Sequence, residues 1–231
     1  MDKTYSHGVA FIVEGDTEKV FYLKLIDHYC KKHPGARLST QIASATGEVF
    51  YALTRHDNST VLIKIFVVGT ISQVAHSGTW FVKRCYQAYK PTKWTVFLCY
   101  DTDSYRTNIT KFYEGDWSEL RKTLQKGHPE KIVDLAAAAD IEDMMLLDSE
   151  SIFQFLEIKP VPIPAGSKGK RKMKKLFRLK GMGSAYHEGE RALPLISALN
   201  FDRIISLAPI PLQYIDEACF IKHTANDEAT K

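Results

Sequence analysis

Three acids far apart along the chain carry the most specific chemical signal: Glu14, Asp101 and Asp103. Each follows an apolar run. Glu14 ends His7 to Val13 (HGVAFIV), and Asp101-Thr102-Asp103 follows Trp94 to Tyr100 (WTVFLCY). On an extended segment the two side chains of D-x-D point to the same side. Three carboxylates in one small space repel one another and resist ionising together. A divalent cation relieves that repulsion, and Mg²⁺, which prefers oxygen ligands and keeps several waters, needs few protein carboxylates. Such an ion polarises a phosphodiester and activates a water. Gly15, directly after Glu14, permits a tight turn and close approach by a phosphate. The competing reading is local. Asp favours turns, and Asp16 and Glu18 suit the first turn of a helix through their charge.

The second signal is charge placement. Net charge is +4, but Lys168, Lys170, Arg171, Lys172, Lys174, Lys175, Arg178 and Lys180 fall in one stretch without an acid; removing those eight leaves −4 on the rest. A basic segment on a mildly acidic body suits a protein that holds a polyanion beside metal-binding acids. These eight side chains are the candidate nucleic-acid-binding residues; the alternative is a solvated charge run. Met173, Leu176, Phe177 and Leu179 alternate with them, which fits a basic helix with one packed face or a loop. Gly166 to Lys170 lacks the G-x-x-x-x-G-K-S/T spacing of an ATP-binding loop and no buried strand precedes it, so ATP binding there is rejected.

Other reactive types carry less. Cys30, Cys85, Cys99 and Cys219 are scattered without C-x-x-C or zinc spacing, which reads as reduced, buried thiols of a cytoplasmic protein. His187 reads as structural or exposed, and Trp80, Tyr86 and Tyr89 as packing residues rather than a base-stacking platform. No run of 18 or more apolar residues suggests a membrane span, and Met1 to Gly8 lacks a signal-peptide pattern.

The elements that must position the acids follow from periodicity. With 231 residues, 45% hydrophobic and 25% charged, the chain suits one ordinary domain with a small extension. Strands are expected at His7 to Val13, Ala36 to Ser44, Val61 to Val68, Trp94 to Tyr100 and Lys131 to Leu135. A helix capped by Thr17 follows the first and stops near Pro34-Gly35. Further helices are expected within 69–90 before Pro91, over Ser118 to Lys126, and over Ile141 to Ile158 as one apolar-faced run. Residues 46–58 are ambiguous. Pro160, Pro162 and Pro164 impose an extended linker. Arg191 to Leu199 and Leu212 to Lys222 form two last helices, and Thr224 to Lys231 frays. Strands alternating with helices predict an α/β fold with a mostly parallel sheet covered on both faces. Ligands in such sheets sit at the carboxyl ends of the strands. If the first and the Trp94 strands are parallel neighbours, the three acids converge there.

The run Phe11-Ile12-Val13-Glu14-Gly15-Asp16-Thr17-Glu18-Lys19-Val20-Phe21-Tyr22 resembles the first motif of Toprim domains. Its V-E-G-x-T-E-K core is similar to that of OLD-type, RloB-like and PARIS-type defence nucleases. Cys99-Tyr100-Asp101-Thr102-Asp103 resembles the Toprim D-x-D after a hydrophobic strand, and the resemblance covers residues 8–157. It implies a Rossmann-like Toprim fold with a catalytic domain over 1–158, followed over 159–231 by linker, basic segment and C-terminal helices packed on the same domain. It further implies a Mg²⁺- or Mn²⁺-dependent site: Glu14 as ligand or general acid/base, Asp101 and Asp103 as ligands, Glu18 contributing to a second metal. An acid near the start of the helix that follows the Lys131 to Leu135 strand belongs to this pattern, and Glu142 is the preferred candidate before Asp143 and Asp148. The RloB-like N-P-x-F-E-x-W-L-L pattern is missing its Asn, Pro and Trp here. Lys175 and Lys180 are candidate counterparts of a charge-stabilising lysine in OLD-type enzymes.

The function expected from this resemblance is a metal-dependent nuclease acting on RNA, tRNA included, or DNA in antiphage defence. A separate ABC- or SMC-like ATPase is an expected partner, and a homo-oligomer is open. From a different class, a non-catalytic Toprim module binding nucleic acid or a partner is the alternative, with structured-RNA maturation also open.

Overall fold

A computed structural model describes residues 5–43, 47–69, 73–101, 114–137, 140–166, 168–181 and 183–220. Among them, six strands form one sheet. In chain order these are β1 (His7–Val13), β2 (Arg37–Ile42), β3 (Val49–Thr54), β4 (Thr60–Val67), β5 (Lys93–Asp101) and β6 (Lys131–Ala137). Their spatial order is β2-β3-β4-β1-β5-β6. β4, β1, β5 and β6 run parallel, while β2 and β3 form an antiparallel hairpin at the β4 edge. The fold is therefore α/β with a mostly parallel sheet.

The central strands are apolar at nearly every position because both of their faces are covered. On β1, Val9, Phe11 and Val13 face one core and Ala10 and Ile12 the other. The first core lies under α1 (Asp16–Lys32) and a group of short later helices. The Phe11 and Phe97 rings stack at its centre, 5.0 Å apart. The second lies under α2 (Val74–Trp80), its π-helical continuation Phe81–Tyr86, and α3 (Glu114–Gln125).

After β6 the chain forms α4 (Ile141–Leu146), α5 (Ser149–Leu156), α6 (Gly169–Leu179), a 3₁₀ turn at Gly189–Ala192, α7 (Leu193–Ala198), α8 (Phe201–Leu207) and α9 (Gln213–Phe220). Met173, Leu176, Ile196, Ile204 and Ile215 enter the same core as Phe11 and Phe21. Polar ties reinforce this. Arg55 Nε donates to the Cys219 carbonyl at 2.7 Å, and His33 meets Asp216 at 2.8 Å.

Several local expectations are corrected. The single helix over Ile141 to Ile158 is two, because Asp148 takes a non-helical backbone (φ −112, ψ 59) and its buried carboxylate accepts from the Asn200 N–H at 2.7 Å. Thr17 is not the cap of α1. Gly15 holds that position, and the Thr17 hydroxyl accepts from the Gly189 N–H at 2.8 Å. The ambiguous 46–58 stretch contains β3, the basic stretch is the helix α6, and α8 was not anticipated. The expected fraying of 224–231 falls outside the described residues. No helix among the described residues is long and apolar enough to cross a membrane.

Candidate functional site

β1 and β5 are parallel neighbours in register, Val13 opposite Cys99, so the chain delivers Glu14 and Asp101 to the same edge. They meet there: the Asp101 N–H lies 3.4 Å from Glu14 Oε2. The turn into α1 starts at Gly15, where an added Cβ would stand 3.0 Å from Glu18 Oε2. Glycine thus leaves room for Glu18 to fold back toward Glu14. β6, on the other side of β5, leads into α4. Asp140 caps that helix by accepting from the Asp143 N–H at 3.1 Å, and Glu142 sits in its first turn. Glu14, Glu18, Asp140 and Glu142 are each less than one-tenth exposed.

These groups line one cavity of about 480 Å³ at the carboxyl end of the parallel strands. Among the described residues its acids are Glu14, Asp16, Glu18, Asp101, Asp140, Glu142 and Glu188, and its cations Lys168 and Lys170. Glu14, Glu18, Asp101 and Glu142 were expected from the sequence, and the fold brings all four together. Asp103 lies outside the described residues. Asp140 and Glu188 were missed. The D-x-x-D cap at Asp140 and Asp143 was a readable signal for the first; nothing local marks Glu188.

The acids perturb one another strongly. Burial, then the charges of Glu18, Glu14, Asp140 and Glu142, push Asp101 up to about 10. Glu18 rises to about 7, chiefly by burial, with backbone N–H donors opposing and Glu14 and Glu142 adding repulsion. Asp140 rises to about 7 through burial and the neighbouring Glu142. Glu142 is raised by burial and held back by the Tyr186 hydroxyl, which donates to its Oε1 at 2.8 Å. Protons therefore occupy much of this cluster near neutral pH.

Whether a divalent cation suits these residues turns on two observations. Asp101 Oδ1 is buried without a hydrogen-bond partner among the described residues, an arrangement proteins avoid. The donors are all carboxylate oxygens, the set a hard cation takes. The donor chemistry thus fits Mg²⁺ or Mn²⁺. Among the described residues, however, no three His, Cys, Asp or Glu side chains converge as tightly as a bound ion would draw them.

The basic residues divide. Lys168 and Lys170 line the cavity. Lys172 is tied to Asp143 Oδ1 at 2.8 Å, Lys175 to the Ala165 carbonyl at 2.8 Å, and Lys180 to Glu157 at 3.6 Å. Lys174 faces Glu188, while Arg171 and Arg178 are exposed on the outer face of α6. The start of α6 is itself docked on α4: the Gly169 N–H donates to Asp143 Oδ2 at 2.9 Å and the Lys170 N–H to Asp140 Oδ2 at 3.1 Å. His187 is exposed. Compared with protein-family models, curated proteins and solved structures, the chain matches none.

Proposed function

We propose that this chain is a divalent-metal-dependent nuclease of Toprim type, hydrolysing phosphodiesters of RNA or DNA. The observation that supports it most is the convergence of Glu14, Glu18, Asp101, Asp140 and Glu142 at the carboxyl edge of a parallel sheet, with a buried oxygen of Asp101 left unpartnered. Glu14 and Asp101 are the residues that would hold Mg²⁺ or Mn²⁺, with Glu18 and Glu142 beside them. The ion supplies Lewis acidity toward the phosphodiester and lowers the pKa of bound water.

The chain's own residues do the rest. Gly15 and Gly69 line the mouth without side chains, so a phosphate can approach the backbone. Without a cation Glu18 is raised to about 7 by burial and its acidic neighbours, so it releases its proton when a divalent ion takes the place of that charge relief. Tyr186 fixes Glu142 through its hydroxyl. The exposed cations of α6 extend a positive surface from the cavity, suited to sequence-independent backbone contact. Antiphage defence and a separate ABC- or SMC-like ATPase partner are what the resemblance in the two motifs implies, and a cytoplasmic setting is the reading of the four scattered cysteines.

The test is cleavage of tRNA, single-stranded DNA and plasmid with Mg²⁺ or Mn²⁺ against chelator. Glu14→Gln and Asp101→Asn are each expected to reduce the rate by about 10²-fold or more. Cleavage that persists in chelator, or in both variants, would refute the reading; metal-independent binding without cleavage would favour the non-catalytic module.

A further inference from the structure

Glu188 is in an unusual position for an acid. Its two carboxylate oxygens are shared between two lysines of α6: Lys170 Nζ contacts Oε2, and Lys174 Nζ lies 3.7 Å from Oε1. Lys170 and Lys174 are one helical turn apart and so present their ammonium groups on one face. The arrangement is that of two cations around one bidentate oxyanion, and it borders the cavity that already contains Glu14, Glu18 and Asp101.

The scaffold delivers Glu188 there by other means than its own ion pairs. The next residue, Gly189, at φ +66, donates its N–H to Thr17, and Glu190 pairs with Lys19 at 3.6 Å. The backbone of this strap is therefore tied to α1, while the Glu188 side chain reaches across to α6. All three members of the ion-pair group are about two-fifths to one-half exposed, and half-exposed pairs of this kind are weak and exchange readily with solvent. A backbone phosphodiester presents, like a carboxylate, two oxygens sharing one negative charge, so it can take over the same two ammonium contacts, and its neighbours along the strand engage further cations that a lone carboxylate cannot. While in place it also adds one more negative charge to an acidic cavity that a polyanion must enter.

We propose that Lys170 and Lys174 form a seat for a backbone phosphate of nucleic acid, and that Glu188 is its built-in occupant, an autoinhibitory stand-in displaced by substrate. The polyanion's identity rests on the nuclease reading; the seat and its occupant do not require hydrolysis.

The experiment measures binding of a fluorescein-labelled single-stranded RNA oligonucleotide in chelator, by anisotropy over a range of salt. Glu188→Gln keeps the strap and its shape but removes the charge. It is expected to tighten binding about three- to fivefold, the scale of a half-exposed pair. The logarithmic salt dependence should steepen by about 0.7 for each phosphate newly engaged. Adding Lys170→Ala and Lys174→Ala should abolish the gain. Unchanged or weaker binding by Glu188→Gln, absence of binding in every variant, or a gain that survives loss of both lysines each overturns the proposal. A lowered melting temperature with unchanged affinity assigns Glu188 to strap stability instead. Tighter binding without metal-dependent cleavage leaves the seat standing and removes the nuclease reading, whereas cleavage with no effect of Glu188→Gln does the reverse.

Discussion

In chelator, the folded protein should lose stability as pH rises from about 5 to about 8, opposite to the common behaviour of paired surface acids. Glu18 sets the magnitude. Its carboxyl ionises at an ordinary 4.5 in the unfolded chain and at about 7 when folded. Between those values the folded state binds more protons than the unfolded one, so stability falls with rising pH. It is fully present below the unfolded value and lost on passing through the folded one. A displacement of that size is worth ~3 kcal/mol. Asp101 and Asp140 move the same way, but their contributions do not add, because a proton on one acid relieves its neighbours. For a domain of this size ~3 kcal/mol corresponds to ~6–12 °C in Tm. Thermal unfolding of wild type and Glu18→Gln at both pH values isolates the effect. The wild type should fall by roughly that amount relative to the variant. Excess Mg²⁺ at the higher pH should restore it, since a cation replaces the protons. Identical pH slopes for wild type and Glu18→Gln would refute the assignment of Glu18 to a crowded, buried acid cluster.

Two further outcomes follow from the site's supports. Tyr186→Phe removes the only hydroxyl seen donating to Glu142 among the described residues, and should lower unfolding stability by about 1–3 kcal/mol while moving the activity–pH profile upward; a variant with unaltered denaturation midpoint and profile would count against the contact. Gly169→Ala would place a Cβ 2.3 Å from the Asp143 nitrogen and 2.4 Å from Asp140 Oδ1, lifting α6 off α4 at about 1–3 kcal/mol. Gly166→Ala, whose Cβ meets nothing nearer than 3.6 Å, should stay within about 0.5 kcal/mol in the same urea titration.

The parts of this fold legible in the sequence are those whose environment is uniform along a segment. β1, β4 and β5 are covered on both faces and read as nearly continuous apolar runs, with Lys64 in β4 and Thr95 in β5 as interruptions, so Glu14 and Asp101 at the ends of β1 and β5 were visible as candidates. β3 (VFYALT) was not, because a six-residue apolar stretch without alternation does not distinguish a strand from a piece of helix. The break at Asp148 is held by the Asn200 N–H, 52 positions away, and its local sign, Asp148 as cap with Glu150 in the next turn, is easily lost inside a continuous apolar periodicity. Glu188 and Tyr186 belong to the site through contacts with α6 and Glu142. A lone acid and a lone tyrosine in an irregular stretch carry no periodicity by which to be recognised.

The strap over residues 188–190 joins the beginning of the polypeptide to its later part, since Thr17 and Lys19 hold Gly189 and Glu190. During synthesis the acids of β1 and β5 leave the ribosome long before the lysines of α6 and the glutamate that faces them. A nascent chain thus possesses its carboxylates without the covering that gives them a buried, shared environment. The buried, shared environment of these acids is therefore assembled from segments 172 positions apart, Thr17 and Gly189, and the core beneath it takes in α7, α8 and α9 as well.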